Sequence, residues 1–266
     1  MEKYRIVSFS GGKDSTAMLL RLIELKEPIN EVIWCDTYKE FPAMYRHVQK
    51  IKAVAEAAGI KFTELKSRES FDYLMFEKPV ERKNKEINEK YNNPLGFSWA
   101  GPKLRWCTRI LKIDVINQYL SHLRKQYDIV QYTGIAADEQ FRLERKVNAG
   151  HIHPLVDWGW TEQMCIEYCY SKGYDWEGLY KSFDRVSCWC CPLQSLDNLR
   201  TLRKEFPELW EELRQMDKRT WRNFRADFTA EQLETRFALE DSRTAQGLTI
   251  NPRCRDFREA LKAAGG

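Results

Sequence analysis

The chain contains no run of about 18 apolar residues, which excludes a bilayer-spanning helix. Its opening residues, Met1-Glu2-Lys3-Tyr4-Arg5, lack the apolar stretch of a secretory signal, so a cytoplasmic location is expected. A dominant charge is missing too: 43 basic residues against 39 acidic ones leave only +4, too weak a field to demand a nucleic-acid partner by itself. No internal repeat is present. Two common phosphate-binding signatures are also absent. A Walker A loop needs a glycine five positions ahead of its Gly-Lys pair, where Val7 stands, and Asp14 separates Lys13 from Ser15. The adjacent Gly11-Gly12 pair does not give the Gly-x-Gly-x-x-Gly spacing of a dinucleotide loop.

What the chain does have is Ser10-Gly11-Gly12-Lys13-Asp14-Ser15, set between the apolar run Ile6-Val7-Ser8-Phe9 and the helical pattern Thr16 to Ile23. Strand, small-residue loop and helix in that order build an anion site. Glycines let the backbone approach a phosphate, and the unbonded amides of the first helical turn point at it. The competing interpretation is an ordinary strand-to-helix turn, since serine, glycine and aspartate are common turn residues.

At 266 residues the chain can bury one substantial α/β core with a smaller appendage. Apolar strand-like runs alternate with helical patterns, which argues for a parallel sheet with crossover helices. Strands are expected over Arg5 to Phe9, Glu31 to Cys35, Lys61 to Leu65 and Ile129 to Thr133, with a helix over Ala43 to Ala58 ending at Gly59. Ser10, Asp36 and Gly134 each follow a strand end, where ligands of open parallel sheets bind. The stretch Glu81 to Gly101 combines mixed charge with turn residues and reads as an insertion or surface loop. After about residue 161 the pattern turns helical. Pro207 suits a first helical turn, and Thr229 to Gln232 has capping-box spacing. The expected division is residues 1–160 as the nucleotide-binding domain and 161–266 as a helical, cysteine-bearing region.

The eight cysteines cluster. Cys188 and Cys191 form Cys-x-x-Cys before Pro192, Cys190 lies between them, and Cys107 comes from a distant segment. Such thiolates can hold a metal or cluster, with Cys107 closing the site and Cys190 a fourth ligand. A structural zinc and an iron–sulfur cluster both suit the set, and buried packing thiols are the alternative. Cys165 and Cys169, four residues apart, would share one helical face.

The loop Ser10 to Ser15 resembles the PP-loop of the ATP pyrophosphatase superfamily, and the chain resembles the phosphoadenosine phosphosulfate reductase family within it. The likeness continues through Asp36-Thr37, Glu40-Phe41-Pro42, Arg105-Trp106-Cys107-Thr108, Gly134-Ile135, Asp138-Glu139 with Arg142, His153-Pro154-Leu155 and Cys188-Trp189-Cys190-Cys191-Pro192. It implies an α/β fold with a doubly wound, mostly parallel five-stranded sheet and a helical C-terminal extension. It also implies an adenine-nucleotide site formed by Ser10, Gly11, Gly12, Lys13, Asp14, Ser15, Asp36, Thr37, Gly134, Glu139 and Arg142.

The intact Lys13-Asp14-Ser15 looks like that of enzymes that split ATP between its α and β phosphates and adenylate a substrate. Lys13, Asp14 and Asp36 are then the catalytic candidates, the two carboxylates sharing a magnesium ion with ATP. Cys107, Cys188 and Cys191 would carry a 4Fe-4S cluster for sulfur transfer, with zinc as the alternative. Sulfonucleotide reduction is the second reading of the family. It is disfavoured because Thr108 replaces the second cysteine of an adjacent pair and the final residues hold no cysteine. A nucleotide-binding subunit without turnover is the third. Between Arg200 and Arg225, arginines and lysines alternate with Trp210, Trp221 and Phe224, which suits either a solvated helical face or a nucleic-acid sulfur acceptor.

Overall fold

The computed structural model describes residues 1–83, 85–142 and 150–265, with the side chains of 140–142 outside the description. In chain order the regular elements are β1 (Lys3–Phe9), α1 (Lys13–Glu24), β2 (Glu31–Asp36), α2 (Pro42–Ala57), β3 (Lys61–Lys66), α3 (Lys85–Lys90), α4 (Asp114–Leu123), β4 (Asp128–Thr133), β5 (His151–Ile152), α5 (Pro154–Asp157), α6 (Glu162–Ser171), α7 (Leu179–Ser182), α8 (Leu196–Glu205), α9 (Pro207–Lys218), α10 (Ala230–Ala245) and α11 (Arg255–Ala263). Two wide helical turns of π type, Tyr73–Glu77 and Cys107–Ile113, complete the described helices together with short 3-10 turns.

Two compact units arise, and they interleave along the chain. Met1–Glu69 and Trp106–Cys188 form the first, Ser70–Arg105 and Trp189–Gly266 the second. The first unit therefore continues beyond residue 160 and includes α6 and α7. α6 belongs with the sheet because its apolar face covers α1: Cys165 and Cys169 are buried, as are Ala17, Met18 and Leu19 of α1.

The first unit holds a five-stranded sheet in the order β3-β2-β1-β4-β5, every pair parallel. Runs such as Val32-Ile33-Trp34-Cys35, buried throughout, are what a strand covered on both faces requires. Strand order proceeds from β1 through β2 to β3 and then returns to the other side of β1 with β4. With right-handed crossovers, that reversal winds the sheet doubly and opens a crevice past the ends of β1 and β4. Ile6, Ile33, Leu120 and Ile129 pack as one core cluster, each fully buried side chain contributing roughly 1.5–3 kcal/mol. Glu31 is the charged exception. It accepts hydrogen bonds from Thr63, from Tyr119 at 2.6 Å and from Tyr4 at 3.2 Å, and it pairs with Lys61 at 2.9 Å.

The second unit is helical. Thr229 caps α10 in the reciprocal arrangement with Gln232, as the spacing predicts, and Pro207 opens α9. The stretch read as a surface loop, Glu81 to Gly101, contains α3 and packs within this unit, with Trp99 buried against Phe224. No helix among the described residues is long and apolar enough to cross a membrane.

Candidate functional site

The turn from β1 to α1 is built for close approach. Gly11 has φ +82°, and a Cβ there would lie 2.7 Å from the Met44 sulfur. Gly12 caps α1 without a side-chain bond, so the first amides of the helix meet no cap of their own. Ser10 and Ser15 tie the loop shut: their hydroxyls stand 2.9 Å apart, the Ser10 amide donates to Ser15 Oγ at 3.1 Å, and Ser15 Oγ donates to the Gly12 carbonyl at 3.1 Å. Gly134, at the end of β4, lies directly against this turn. A Cβ on it would sit 2.9 Å from the Ser15 amide nitrogen, so the requirement for glycine there is one of space.

The side chains facing the loop come largely from the segment past residue 160. Tyr180 Oη accepts the Lys13 amide at 3.0 Å, occupying the place at the helix N-terminus that an anionic oxygen would take. Trp176 Nε1 donates to the Gly11 carbonyl at 2.8 Å, and Trp176 packs edge-on against Tyr180. Lys13 Nζ lies 2.7 Å from Glu162 Oε2 and 3.3 Å from Asp14. Burial disfavours the Lys13 ammonium, but the Glu162 hydrogen bond and the Asp14 charge more than offset it, and its pKa stands above the ordinary lysine value. Burial raises the pKa of Asp14 against the pull of Lys13, and the charges of Glu162 and Glu139 raise it further.

Asp14, Glu139 and Glu162 present carboxylate oxygens that all lie within 4.8 Å of one another. Asp14 Oδ1 is buried with no hydrogen-bond partner among the described residues, although the Lys13 ammonium stands 3.3 Å away as an ion pair. Hard oxygens gathered this way suit Mg²⁺. Asp138 has a different duty: its carboxylate accepts the Glu162 amide at 3.0 Å, fixing the start of α6 beside the Thr161 cap.

Asp36 does not join that set. Its Oδ1 accepts the Tyr38 amide at 2.7 Å and the Tyr45 hydroxyl at 2.9 Å, while Oδ2 pairs with Lys66 at 3.0 Å. Thr37 donates to Glu40 Oε1 at 2.7 Å and stands 3.4 Å from Cys188 Sγ, which itself lies 3.6 Å from Glu40. Burial raises the Glu40 pKa. The side chain of Arg142 lies outside the described residues.

No disulfide joins any of the eight cysteines. Cys107 begins the π-type turn Cys107–Ile113 and, like Cys188, belongs to the first unit, whereas Cys190 and Cys191 belong to the second. Cys165 and Cys169 are fully buried beside α1, and burial pushes the Cys169 thiol up to about 12. Cys35 is buried at the end of β2, donates to the Leu111 carbonyl and is pushed up to about 11. These three are packing thiols, protonated at neutral pH.

The model of the phosphoadenosine phosphosulfate reductase domain matches residues 5–194, most of the chain. The chain belongs to this family. As a phosphoadenosine phosphosulfate reductase family member with a PP-loop, it has two relatives in Methanocaldococcus jannaschii, the uncharacterized proteins MJ0066 and MJ0973. The first is 25% identical over 79% of this chain and 41% of its own length, the second 27% identical over 76% and 45%. The chain thus spans less than half the length of the curated relatives it matches. Among solved structures, the U34-tRNA thiolase NcsA from Methanococcus maripaludis with its 4Fe-4S cluster is similar at a TM-score of 0.40 and 16% identity, over 82% of this chain and 72% of that one. A likeness that low says nothing about chemistry.

Glu162, Tyr180 and Trp176 are the residues that sequence reasoning missed around the phosphate loop. They follow the loop by 149 to 167 positions and carry no local signature, so only the hydrogen bonds that α6, α7 and the turn at Trp176 bring to the loop reveal them.

Proposed function

We propose that this family member is a PP-loop ATP pyrophosphatase that adenylates an acceptor, in the service of sulfur transfer. The observation that carries the reading is the gathering, at one uncapped helix start, of the Lys13 ammonium and the carboxylates of Asp14, Glu139 and Glu162. A polyphosphate with its magnesium ion needs both: amides and an ammonium for phosphate oxygens, and hard oxygens for the metal.

In the proposed reaction an acceptor oxygen attacks the α-phosphorus of ATP, and the bond from that phosphorus to the bridging oxygen breaks. Pyrophosphate leaves with the electron pair. Amides at Gly11, Gly12 and Lys13 and the Lys13 ammonium stabilise the charge that builds on it. Binding moves Lys13 from Glu162 to phosphate and displaces the Tyr180 hydroxyl from the Lys13 amide, while Asp14, Glu139 and Glu162 hold magnesium. Asp36, bonded to two tyrosines and a lysine, acts by fixing the strand end and the Tyr45 ring. Ser10, Ser15 and Gly134 shape the loop, while Thr37 and Arg142 remain proposed nucleotide contacts on sequence grounds.

For the thiols we propose metal ligation by Cys107, Cys188 and Cys191, with Cys190 as a fourth ligand and zinc as the alternative. The support is their spacing and softness. When bound, an iron–sulfur cluster with an open iron would supply sulfide. The test is pyrophosphate release from ATP and Mg²⁺ by the purified protein, lowered by at least about 100-fold in Lys13→Ala. Thiol-dependent sulfite release from a sulfonucleotide, without ATP turnover, would replace this reading by the reductase one.

A further inference from the structure

The basic and aromatic residues of the second unit divide into two populations. Most arginines are spent on carboxylates: Arg200 on Glu240, Arg203 on Glu234, Arg214 on Glu231 and Arg236 on Glu240. Trp210 and Phe224 are buried. The stretch from Arg200 to Arg214 therefore serves as helix-to-helix scaffold.

Arg82, Lys90, Arg219 and Arg222 differ. Among the described residues no carboxylate pairs with any of them, and each stands over an aromatic ring. Arg219 Cζ is 4.0 Å from the Phe76 ring centroid, and Lys90 Nζ is 5.0 Å from that of Tyr91. Arg82 and Arg222 share Trp221, at 5.0 and 5.3 Å, and the Trp221 and Tyr91 rings lie 5.3 Å apart. Burial and the nearby Arg222 charge both lower the Arg82 pKa. Like charges held together without a counter-ion cost folding free energy, and an incoming anion would recover it.

The patch is held in place. Arg82 donates to the carbonyls of Pro94 and Gly96, Trp221 Nε1 donates to the Gly96 carbonyl at 3.3 Å, and the Arg222 amide donates to Ser98 Oγ at 3.1 Å. Below it, Trp99 Nε1 donates to Asp217 at 2.7 Å. Gly96 is indispensable to this packing, because a Cβ there would meet the Met75 carbonyl oxygen at 2.0 Å. A cleft of about 530 Å³ is lined by Pro79, Glu81, Arg82, Asn88, Asn93 and Leu95 among others, and Arg82 joins it to the Trp221 ring. Residues 77–91 and 218–222 carry eight basic and four acidic side chains, an excess equal to the +4 of the whole chain.

We propose that this face, formed by Arg82, Lys90, Tyr91, Arg219, Trp221 and Arg222, binds single-stranded nucleic acid. The Arg219 and Arg222 guanidinium groups, without carboxylate partners, match phosphates, and bases stack on the exposed Tyr91 ring and against the half-buried Trp221. A duplex hides its base faces, so the rings select the single strand. As a holding site for a sulfur acceptor the surface rests on the proposed function; as a binding surface it stands without it.

The experiment is fluorescence anisotropy of the full chain with labelled 12-nucleotide single strands of RNA and DNA and with a duplex of the same sequence, across a salt series. Saturable single-strand binding that falls with salt is expected, and the RNA and DNA arms identify which strand is preferred. Trp221→Ala weakens it by at least about fivefold. The double change Arg219→Ala with Arg222→Ala makes the slope of log K against log salt shallower by about 1.4. Lys13→Ala leaves binding unchanged. Absence of saturable binding, equal affinity for the duplex, or an unaltered slope in the double variant overturns the proposal. Binding without pyrophosphate release would leave this inference standing and sink the ATP reading; release without binding would do the reverse.

Discussion

Lys13 Nζ and Glu162 Oε2 lie 2.7 Å apart, joining the glycine loop after β1 to the first turn of α6 across 149 positions of sequence. The pair holds the lysine at the loop. Removing the ammonium in Lys13→Ala lowers pyrophosphate release by at least about 100-fold, the scale of losing one preorganised charge donor. Glu162→Gln keeps the hydrogen bond and removes a metal-facing charge. It raises the Mg²⁺ concentration for half-maximal release by about tenfold, since contacts to charged groups are worth about 1.5–3 kcal/mol.

Tyr180 Oη accepts the Lys13 amide, the donor that the proposed nucleotide would need. Tyr180→Phe deletes the competing oxygen and leaves the ring against Trp176. Calorimetric titration with a non-hydrolysable ATP analogue shows tighter binding by about fivefold, the value of one neutral hydrogen bond near 1 kcal/mol. Unchanged or weaker binding would mean that the hydroxyl supports the loop.

The thiols separate by environment. Anaerobically purified protein is expected to carry iron and sulfide, lost in Cys188→Ala and retained in Cys169→Ala, because Cys169 is a buried packing thiol beside Lys13. A colourless protein with stoichiometric zinc would remove the sulfur chemistry and leave the ATP site untouched.

His47 is buried between Thr16, whose hydroxyl lies 3.0 Å from Nε2, and the Trp176 ring. Burial pulls its pKa from the ordinary 6.5 down to about 3. The unfolded chain therefore takes up a proton that the folded chain refuses. Stability is complete above pH 6.5 and is lost as pH falls toward 3, at up to about 1.4 kcal/mol per pH unit. Urea midpoints measured from pH 7 to 4 fall for the parent chain and fall less for His47→Gln.

Gly134→Ala forces a methyl group to within 2.9 Å of the Ser15 backbone. Overpacking of this kind costs about 1–3 kcal/mol, which lowers Tm by roughly 2–4 °C per kcal/mol in a chain of this size. Circular dichroism melts check the stability loss. Nucleotide affinity falls in the same variant because the first turn of α1 is displaced.

Sequence alone determined what depends on neighbours along the chain. Periodicity located β1, β2, β3 and β4 and the helix after Phe41 to within a residue or two, because burial on one face or two imposes its repeat on successive side chains. Gly11-Gly12 before Lys13 announced the glycine turn into α1 for the same local reason: backbone freedom and helix-end amides need only six consecutive residues. Tertiary structure decided what those residues meet. Asp36 looked like a metal ligand by its place after β2, yet Tyr38, Tyr45 and Lys66 occupy its oxygens, and Glu139 and Glu162 gather at Asp14 instead. The basic stretch after Arg200 likewise divided only on folding, when distant glutamates neutralised Arg200, Arg203 and Arg214 and left Arg219 and Arg222 over rings. Charge partners and ring contacts come from segments dozens to more than a hundred residues away, so no local pattern can encode them, whereas hydrogen-bond geometry and helix ends are written within a few residues.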